Sequence, residues 1–413
     1  MQRTNETIKV KSKRNDSVAM KWKFFITSFV ISMASLSAQE VNTISVFERN
    51  PINFGGVSSE DTDVIRLENG RIAIKKITLP IYKKGADVSL KMTLRSAGDR
   101  WDKSGSCFVI TDPDLLSLID INQSEKHYPE ESTVGKDYEG IKLSEGFKPA
   151  LEILRFMTPF GVGYYSEEDS TSKDHRRPVY IPKWEEEVVW ETDISDLKGE
   201  VSGEAYIGIW IDTWTKEGYE VSLELSFDQR KRVTKKVLPL ANTICYGRKQ
   251  KLPDFFSEQD LEIQFTLDKP VKNAVLKYTT TGHGGHSGGD EFVKTKNKVF
   301  LNSSLFVFTP WRDDCASFRR YNPSSGVWLI GDSARYIDWE ERAYKVKYIE
   351  ERQASSDLSR SNWCPGSKVE PFEIKLNDLA AGDHNLRISI PAQPAKEEEF
   401  NHWLVSAYLV YEE

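Results

Sequence analysis

The chain is dominated by short stretches of β-branched, aromatic and aliphatic residues that are separated from one another by residues typical of turns. Alternation with a period of two is typical of half-buried strands, and closely spaced strands are typical of sandwiches and barrels. Strands are therefore predicted over 64–67, 72–79, 88–94, 107–110, 153–157, 188–190, 205–211 and 219–227, and over 261–267, 271–281, 298–307, 327–330, 344–348, 372–376, 385–390 and 402–410. Helical periodicity is scarce, so the pattern predicts an all-β protein.

The two runs of strands are separated by a turn-rich stretch at 241–253. We expect an all-β fold with two adjacent antiparallel domains of the jelly-roll or β-sandwich type, 39–240 and 241–413. Each predicted domain has an ordinary size for a single hydrophobic core, so the 413 residues need no third domain.

The amino-terminal segment, residues 1–38, is predicted to be a signal peptide. Six basic residues from Lys9 to Lys23 precede fifteen apolar or small residues, 24–38. A membrane-spanning helix needs about twenty such residues, so this run is short for a span and suited to export. An uncleaved anchor is the alternative. The prediction is a secreted or periplasmic protein with no membrane span in the mature chain.

Charge and cysteine content restrict the remaining classes of function. The net charge of −7, from 56 basic and 63 acidic residues, disfavours binding to nucleic acid. Cys107, Cys245, Cys315 and Cys364 allow three complete disulfide pairings, and their spacing does not choose among them. Cys107 lies in an apolar run, which also fits a buried thiol.

Three carboxylates lie beside aromatic or glycine-rich segments: Asp102 after Trp101, Asp212 before Trp214, and Glu291 after a loop rich in glycine and histidine. Indoles stack on the apolar faces of sugar rings, and they desolvate a neighbouring carboxyl and raise its pKa. Such pairs suit a hydrolase that acts on sugar conjugates. For any one pair, a structural turn beside a core tryptophan is the alternative.

The segments that contain these residues resemble the peptide-N-glycosidase F family, and they follow one another in the family's order. The resemblance extends from about residue 85 to 390. The matching motifs are WDKSGSCFVI (101–110), LRFMTPFGVG (154–163), RPVYIPKW (177–184), WETDISDL (190–197), IWIDTWTKEGYEVSL (209–223), TTGHGGHSGGDEF (280–292) and SRSNWCPG (359–366).

The resemblance implies roles for individual residues. Asp102 matches the family's principal catalytic aspartate, Asp212 a position that the best-known member fills with glutamate, and Glu291 the second catalytic glutamate. The residues implied to bind substrate are Trp101, Lys103, Trp214, His283, Arg360 and Trp363.

The chain departs from the family pattern at three places. Asp212 is shorter than glutamate by about 1.5 Å. Lys103 replaces an arginine and cannot make a forked contact. The cysteines that flank the family's second glutamate are replaced by Gly289 and Val293. Cys364 is retained, and pairing with Cys315 would hold the loop that carries Arg360.

The function that the resemblance implies is hydrolysis of the amide between asparagine and the first N-acetylglucosamine of an N-glycan. Asp102 would act as general base or acid, Glu291 would position or polarise the attacking water, and Asp212 would tune Asp102. Pairs of acids with separated pKa values are suited to this chemistry. The predicted partners are N-glycosylated proteins or peptides, acted on by a monomer without cofactor or metal.

Two rival functions are open. A metal site could form from His283, His286, Asp290 and Glu291, although no known ligand spacing is complete. A carbohydrate- or glycoprotein-binding module without catalysis could also use the tryptophans. The joint occurrence of the three acids with Arg360 favours the enzyme, because a binding module does not require all of them.

Overall fold

The computed structural model describes residues 41–56, 62–123, 140–166, 181–244, 255–284, 289–392 and 401–413. The predicted signal peptide lies outside these residues, as do Cys245 and His286. The strands of the first half are β1 (Asn42–Ile52), β2 (Val64–Leu67), β3 (Ile72–Leu79), β4 (Ala86–Ser96), β5 (Ser104–Ile110), β6 (Leu151–Met157), β7 (Val188–Asp193), β8 (Gly203–Ile211) and β9 (Tyr219–Gln229).

The strands of the second half are β10 (Lys236–Asn242), β11 (Leu261–Leu267), β12 (Val271–His283), β13 (Asn297–Leu301), β14 (Ser304–Phe308), β15 (Val327–Asp338), β16 (Ala343–Ala354), β17 (Lys368–Val369), β18 (Phe372–Leu379), β19 (Gly382–Ser389) and β20 (His402–Glu412). Two short helices accompany them, α1 (Leu118–Gln123) and α2 (Phe255–Glu258). Among the helices of the described residues, none has the length and apolar character of a membrane span.

The first half is a sandwich of two antiparallel sheets. A four-stranded sheet, β1-β9-β4-β7, packs on a six-stranded sheet, β17-β6-β5-β8-β3-β2. Alternate residues of β9, from Tyr219 to Phe227, are buried in the core between the sheets, as the period of two requires. Every residue of β5 and β6 is buried, because the outer face of the six-stranded sheet is also covered: Phe108 and Trp210 pack there with Leu404 of β20.

The second half has its own core between two further antiparallel sheets, β10-β20-β12-β18 and β11-β19-β13-β14. Leu276, Leu386 and Trp403 are fully buried in this core. The boundary at 240 falls inside β10, which pairs with β20, and it remains a prediction.

A buried ion pair joins the two halves. Arg155 and Glu152 of β6 lie 2.5 Å apart. Arg155 donates to the hydroxyl of Thr281 at 3.0 Å and to the carbonyl of Leu404 at 3.1 Å, and Ser406 donates to Glu152 at 2.7 Å. Because both charges are satisfied by groups on β12 and β20, the pair holds the sheets in one relative position. Strand β17, from the second half, also pairs with β6.

The all-β fold with antiparallel sandwiches confirms the prediction, with local differences. The stretch predicted as one strand at 298–307 is a hairpin of β13 and β14, because Asn302 adopts a left-handed φ of 51° that turns the chain. The strands predicted at 327–330 and 344–348 extend to twelve residues each and form a separate two-stranded ribbon, β15–β16. Hydrogen bonding between the two strands continues through polar residues, so the strands are longer than the apolar runs from which they were predicted.

Candidate active site

Two of the candidate acids lie at the same edge of the six-stranded sheet. Asp102 comes just before β5, and Asp212 comes directly after β8. These strands are neighbours, with Gly105 opposite Ile211, and the amide of Asp212 donates to the carbonyl of Ser104 at 2.9 Å. The sheet register therefore brings together two residues that are far apart in the sequence.

The loop before Asp102 is organised by a buried aspartate, Asp99. Its carboxylate accepts the amide hydrogen of Trp101 at 3.0 Å and the hydroxyl hydrogen of Thr213 at 2.7 Å. The hydroxyl of Tyr219 donates to the carbonyl of Trp101 at 2.7 Å. The backbone of Trp101 is thus held from both sides while its indole remains 51% exposed beside Asp102.

Asp212 is held by an indole and a guanidinium. Trp214 donates from Nε1 to Asp212 Oδ1 at 3.1 Å, and Arg71 Nη1 lies 3.2 Å from the same oxygen. The guanidinium of Arg71 also lies over the ring of Trp214, 4.3 Å from its centroid, and pairs with Glu68 at 3.3 Å. The Trp214 side chain is therefore fixed although 54% of it is exposed.

The third acid, Glu291, is joined to Asp102 through Arg360. Arg360 Nε lies 2.8 Å from Glu291 Oε1, and its Nη2 lies 3.6 Å from Asp102 Oδ2. The guanidinium donates further to the carbonyls of Leu358 and Ser355, both at 2.8 Å. Only 2% of Arg360 is exposed. A buried cation, whose nitrogens donate hydrogen bonds to Glu291 and to two backbone carbonyls, therefore lies between two carboxylates from the two halves of the chain.

A disulfide closes the segment that carries Arg360. Cys315 and Cys364 are bonded, which confirms this pairing among those left open by the sequence. The backbone of Arg360 also exchanges two hydrogen bonds with Arg312, at 2.8 and 3.0 Å. Cys107 is a buried thiol in β5. The Arg360 segment is therefore held by covalent and backbone bonds that do not depend on Gly289 or Val293.

Burial raises the pKa of all three acids. The pKa of Glu291 rises to about 7, because burial and the nearby charge of Asp102 outweigh the opposing effect of Arg360. Burial also raises the pKa of Asp102 against the attraction of Arg360 and Lys103, and that of Asp212 against Lys103 and Arg71. A carboxyl whose pKa is raised to about 7, as that of Glu291 is, is suited to hold and transfer protons near neutral pH.

Lys103 acts on this group through its charge. Its backbone is fixed by Thr158, whose hydroxyl accepts the Lys103 amide hydrogen at 2.8 Å and whose amide donates to the Lys103 carbonyl at 2.9 Å. The ammonium lowers the pKa of both Asp102 and Asp212. It thus supplies positive charge to both acids without the fork of an arginine.

Two predicted substrate-binding residues, His283 and Trp363, are buried. His283 is 6% exposed, its ring lies between those of Trp363 and His402, and its Nε2 is 2.7 Å from the hydroxyl of Thr281. Burial, His402 and a nearby arginine lower the pKa of His283 well below its usual value, so it is neutral. The structure therefore does not support direct sugar contact by His283.

Trp363 is also buried, and it supports Arg360. Its ring packs 4.7 Å from the Arg360 guanidinium, and its Nε1 donates to the carbonyl of Gly282 at 2.8 Å. Both contacts are structural, because the indole covers the guanidinium and ties the Arg360 segment to β12. The position does not support direct substrate contact, because the side chain is only 2% exposed.

The sequence analysis missed two residues of this site, Arg71 and Asp99. Both lie in turns between predicted strands, where charged residues are common, so neither stood out by type or by spacing. For Asp99, the one available signal was its place two residues before Trp101, where the motif that contains Asp102 begins. Within the described residues, no group of three or more His, Cys, Asp or Glu side chains could hold a metal ion. One member of the rival metal set, His286, lies outside those residues.

Comparison with known proteins agrees with the fold and the order of motifs. The sequence profile of the N-terminal domain of peptide-N-glycosidase F matches residues 43–227, and that of its C-terminal domain matches residues 251–410. No curated protein sequence matches the chain.

Solved structures of similar fold include two crystal forms of PNGF-II. Both are 36% identical to the chain, cover 90% of it and superpose with a TM-score of 0.77. The match extends over only 66% and 65% of the PNGF-II chains, so the chain corresponds to about two thirds of that protein.

A more distant structure is PNGase F, described as a glycosylasparaginase from Flavobacterium meningosepticum. It is 15% identical, covers 90% of this chain and 96% of its own, and has a TM-score of 0.54, which shows a shared fold. Because the two domain profiles together match most of the sequence, the chain belongs to the peptide-N-glycosidase F family.

Proposed function

We propose that this protein hydrolyses the amide bond between an asparagine side chain and the first N-acetylglucosamine of N-linked glycans. The observation that carries the proposal is the junction of Asp102 and Glu291 through the buried Arg360. We propose that these two carboxyls, from different halves of the chain, line one cleft together with Asp212 at the adjacent strand end. A fixed arrangement of this kind is suited to catalysis, since its groups need no reorganisation.

The acids have complementary tasks in this reaction. Asp102 removes a proton from water as the water oxygen adds to the amide carbon, and it returns the proton to the nitrogen as the carbon–nitrogen bond breaks. Glu291, with its raised pKa, positions the water, and Arg360 keeps the two carboxyls together. Asp212 and Lys103 set the charge around Asp102. The products are a glycosylamine and a peptide in which aspartate replaces asparagine.

The exposed indoles of Trp101 and Trp214, which neighbour Asp102 and Asp212 in the sequence, suit the sugar part of the substrate. The Trp214 indole is immobilised by Asp212 and Arg71. For Trp101, Asp99 holds the backbone, and the guanidinium of Arg100 lies 5.1 Å from the ring centroid. A fixed indole loses little side-chain entropy when a pyranose ring stacks on it. We propose that these two side chains contact the first sugar, in place of His283.

Export is part of the same proposal. A basic segment followed by the apolar residues 24–38 favours secretion or release into a periplasm, where glycoproteins are accessible. We propose a monomer, because the site is built from one chain. Edman sequencing of protein recovered from the medium or periplasm should begin near residue 39, and a start at Met1 in membrane fractions would contradict the export of a mature chain.

The test is incubation with a denatured N-glycoprotein in water enriched in oxygen-18. Loss of the whole glycan, with one labelled oxygen in the new aspartate, is the expected result. Asp102→Asn should remove this activity and keep the circular dichroism spectrum, while Asp268→Asn, at an exposed position, should behave as the wild type. A product that retains one N-acetylglucosamine, or glycan binding without any mass change, would contradict the proposed reaction.

A further inference from the structure

The ribbon β15–β16 projects from the rest of the fold and carries many exposed apolar side chains. Its two twelve-residue strands, at about 3.4 Å per residue, are roughly 40 Å long. Within the described residues each strand pairs only with the other, so both edges present backbone groups without strand partners. Exposure of so many apolar side chains to water is unfavourable, which indicates a binding role for this surface.

The pairing register divides the ribbon into two faces. Because side chains alternate, Trp328, Ile330, Tyr336 and Ile349 lie on one face. We call these four residues the cleft-side face. The opposite face carries Leu329, Ile337, Tyr344, Val346 and Tyr348. Each face thus offers exposed aliphatic residues, Ile330 and Ile349 at 44% and 40% on one and Leu329 and Val346 at 58% and 64% on the other, so that substitutions on one face serve as a control for the other.

The cleft-side face begins at the candidate active site. Trp328 packs against Phe292, with ring centroids 5.8 Å apart, and Phe292 follows Glu291 and lies 5.3 Å from the Arg360 guanidinium. At the same end of the ribbon, directly after β16, the carbonyl of Ser355 accepts a hydrogen bond from Arg360. The ribbon is therefore continuous with the site, and a chain bound there lies next to the catalytic carboxyls.

The aliphatic part of this face fits polypeptide better than glycan. Ile330 and Ile349, which are 44% and 40% exposed, offer neither hydrogen bonds nor a flat ring to a sugar. They suit apolar side chains, and the unpaired edges suit the backbone of an extended segment, which can add to a sheet as a further strand. Unfolded polypeptide has both features, whereas a glycan has neither.

We propose that the cleft-side face binds the polypeptide part of N-glycoprotein substrates as an unfolded, extended segment next to the glycosylated asparagine. This assignment rests on the proposed function, because that function places a polypeptide at the cleft. The ribbon adds affinity for long, unfolded substrates, and a short glycopeptide that does not reach it gains nothing.

The test compares Ile330→Ser/Ile349→Ser with the opposite-face control Leu329→Ser/Val346→Ser. For a reduced and alkylated N-glycoprotein, kcat/KM of the cleft-side variant should fall about tenfold through KM, as removal of two exposed aliphatic side chains that the bound polypeptide covers implies. For a glycopeptide with one residue on each side of the asparagine, kcat/KM should stay unchanged. The control should match the wild type on both substrates.

Binding of a reduced and alkylated polypeptide without glycan separates this proposal from the proposed function. Weaker binding by the cleft-side variant alone supports the ribbon assignment, even where no glycan is cleaved. Cleavage with equal kcat/KM for wild type and variant on both substrates overturns the ribbon assignment and leaves the hydrolase intact. Three other results also overturn the ribbon assignment. They are an equal loss of kcat/KM in the cleft-side variant and the control, a loss of free-glycan binding in the cleft-side variant, and conversion of a wild-type dimer into a monomer by the cleft-side substitutions.

Discussion

Glu291→Gln should change how stability depends on pH, because burial and Asp102 raise the pKa of Glu291 from the ordinary 4.5 to about 7. Below pH 4.5 the carboxyl is protonated in the folded and the unfolded protein, so its ionisation contributes nothing. Between pH 4.5 and 7 the unfolded chain loses this proton while the folded chain keeps it. Stability of the wild type therefore falls as pH rises through this window.

The magnitude follows from the two pKa values. A difference of roughly 2.5 in pKa corresponds to about 3 kcal/mol of unfolding free energy. Glutamine has the shape of the protonated acid, and its amide oxygen can still accept from Arg360 Nε. The variant should therefore equal the wild type near pH 4 and become more stable by up to about 3 kcal/mol at pH 8.

Urea unfolding at half-unit steps from pH 4 to 8 measures this difference directly. Glu262→Gln, at an exposed position on β11, serves as the control and should show no such trend. The reasoning is refuted when the stability difference between Glu291→Gln and the wild type is the same at every pH. It is also refuted when the variant is less stable than the wild type at pH 8.

Two further predictions concern the supports of the site. Arg71→Met should raise the pKa of Asp212 and release the Trp214 indole, moving the acidic limb of the pH–activity profile up by about one unit or more; Arg71→Lys should restore part of the shift, and an unchanged profile would contradict the role. Replacing Cys315 and Cys364 by serine opens a loop with a sequence separation of 49 and should lower the unfolding free energy by about 4 kcal/mol. Equal melting temperatures of the serine variant and the wild type would contradict this stabilisation by the disulfide.

The sequence was sufficient for the class of fold because alternation along a strand is a local property. The alternate burial of β4 and β9 follows directly from the order of apolar and polar residues. Local pattern failed for β15 and β16, where polar residues interrupt the alternation and pairing between strands sets the length. The turn at Asn302 escaped detection for a related reason, since one left-handed residue has little effect on composition.

Within the candidate site, sequence motifs predict Asp102, Asp212, Glu291 and Arg360 as functional residues, because each has a characteristic set of neighbours in the sequence, and this assignment remains a prediction. The contacts between them depend on the register of β5 with β8 and on the packing of the two halves. Burial likewise depends on packing, and it raises the pKa of each acid.

Amino-acid order alone thus specifies which segments become strands, since alternation depends on near neighbours, and it selects the candidate acids. Packing specifies which of those residues face solvent. It buries His283 and Trp363 behind Arg360, and it brings Arg71 from another turn to Asp212. These contacts join distant parts of the chain, and their free energy exists only when the sheets are assembled.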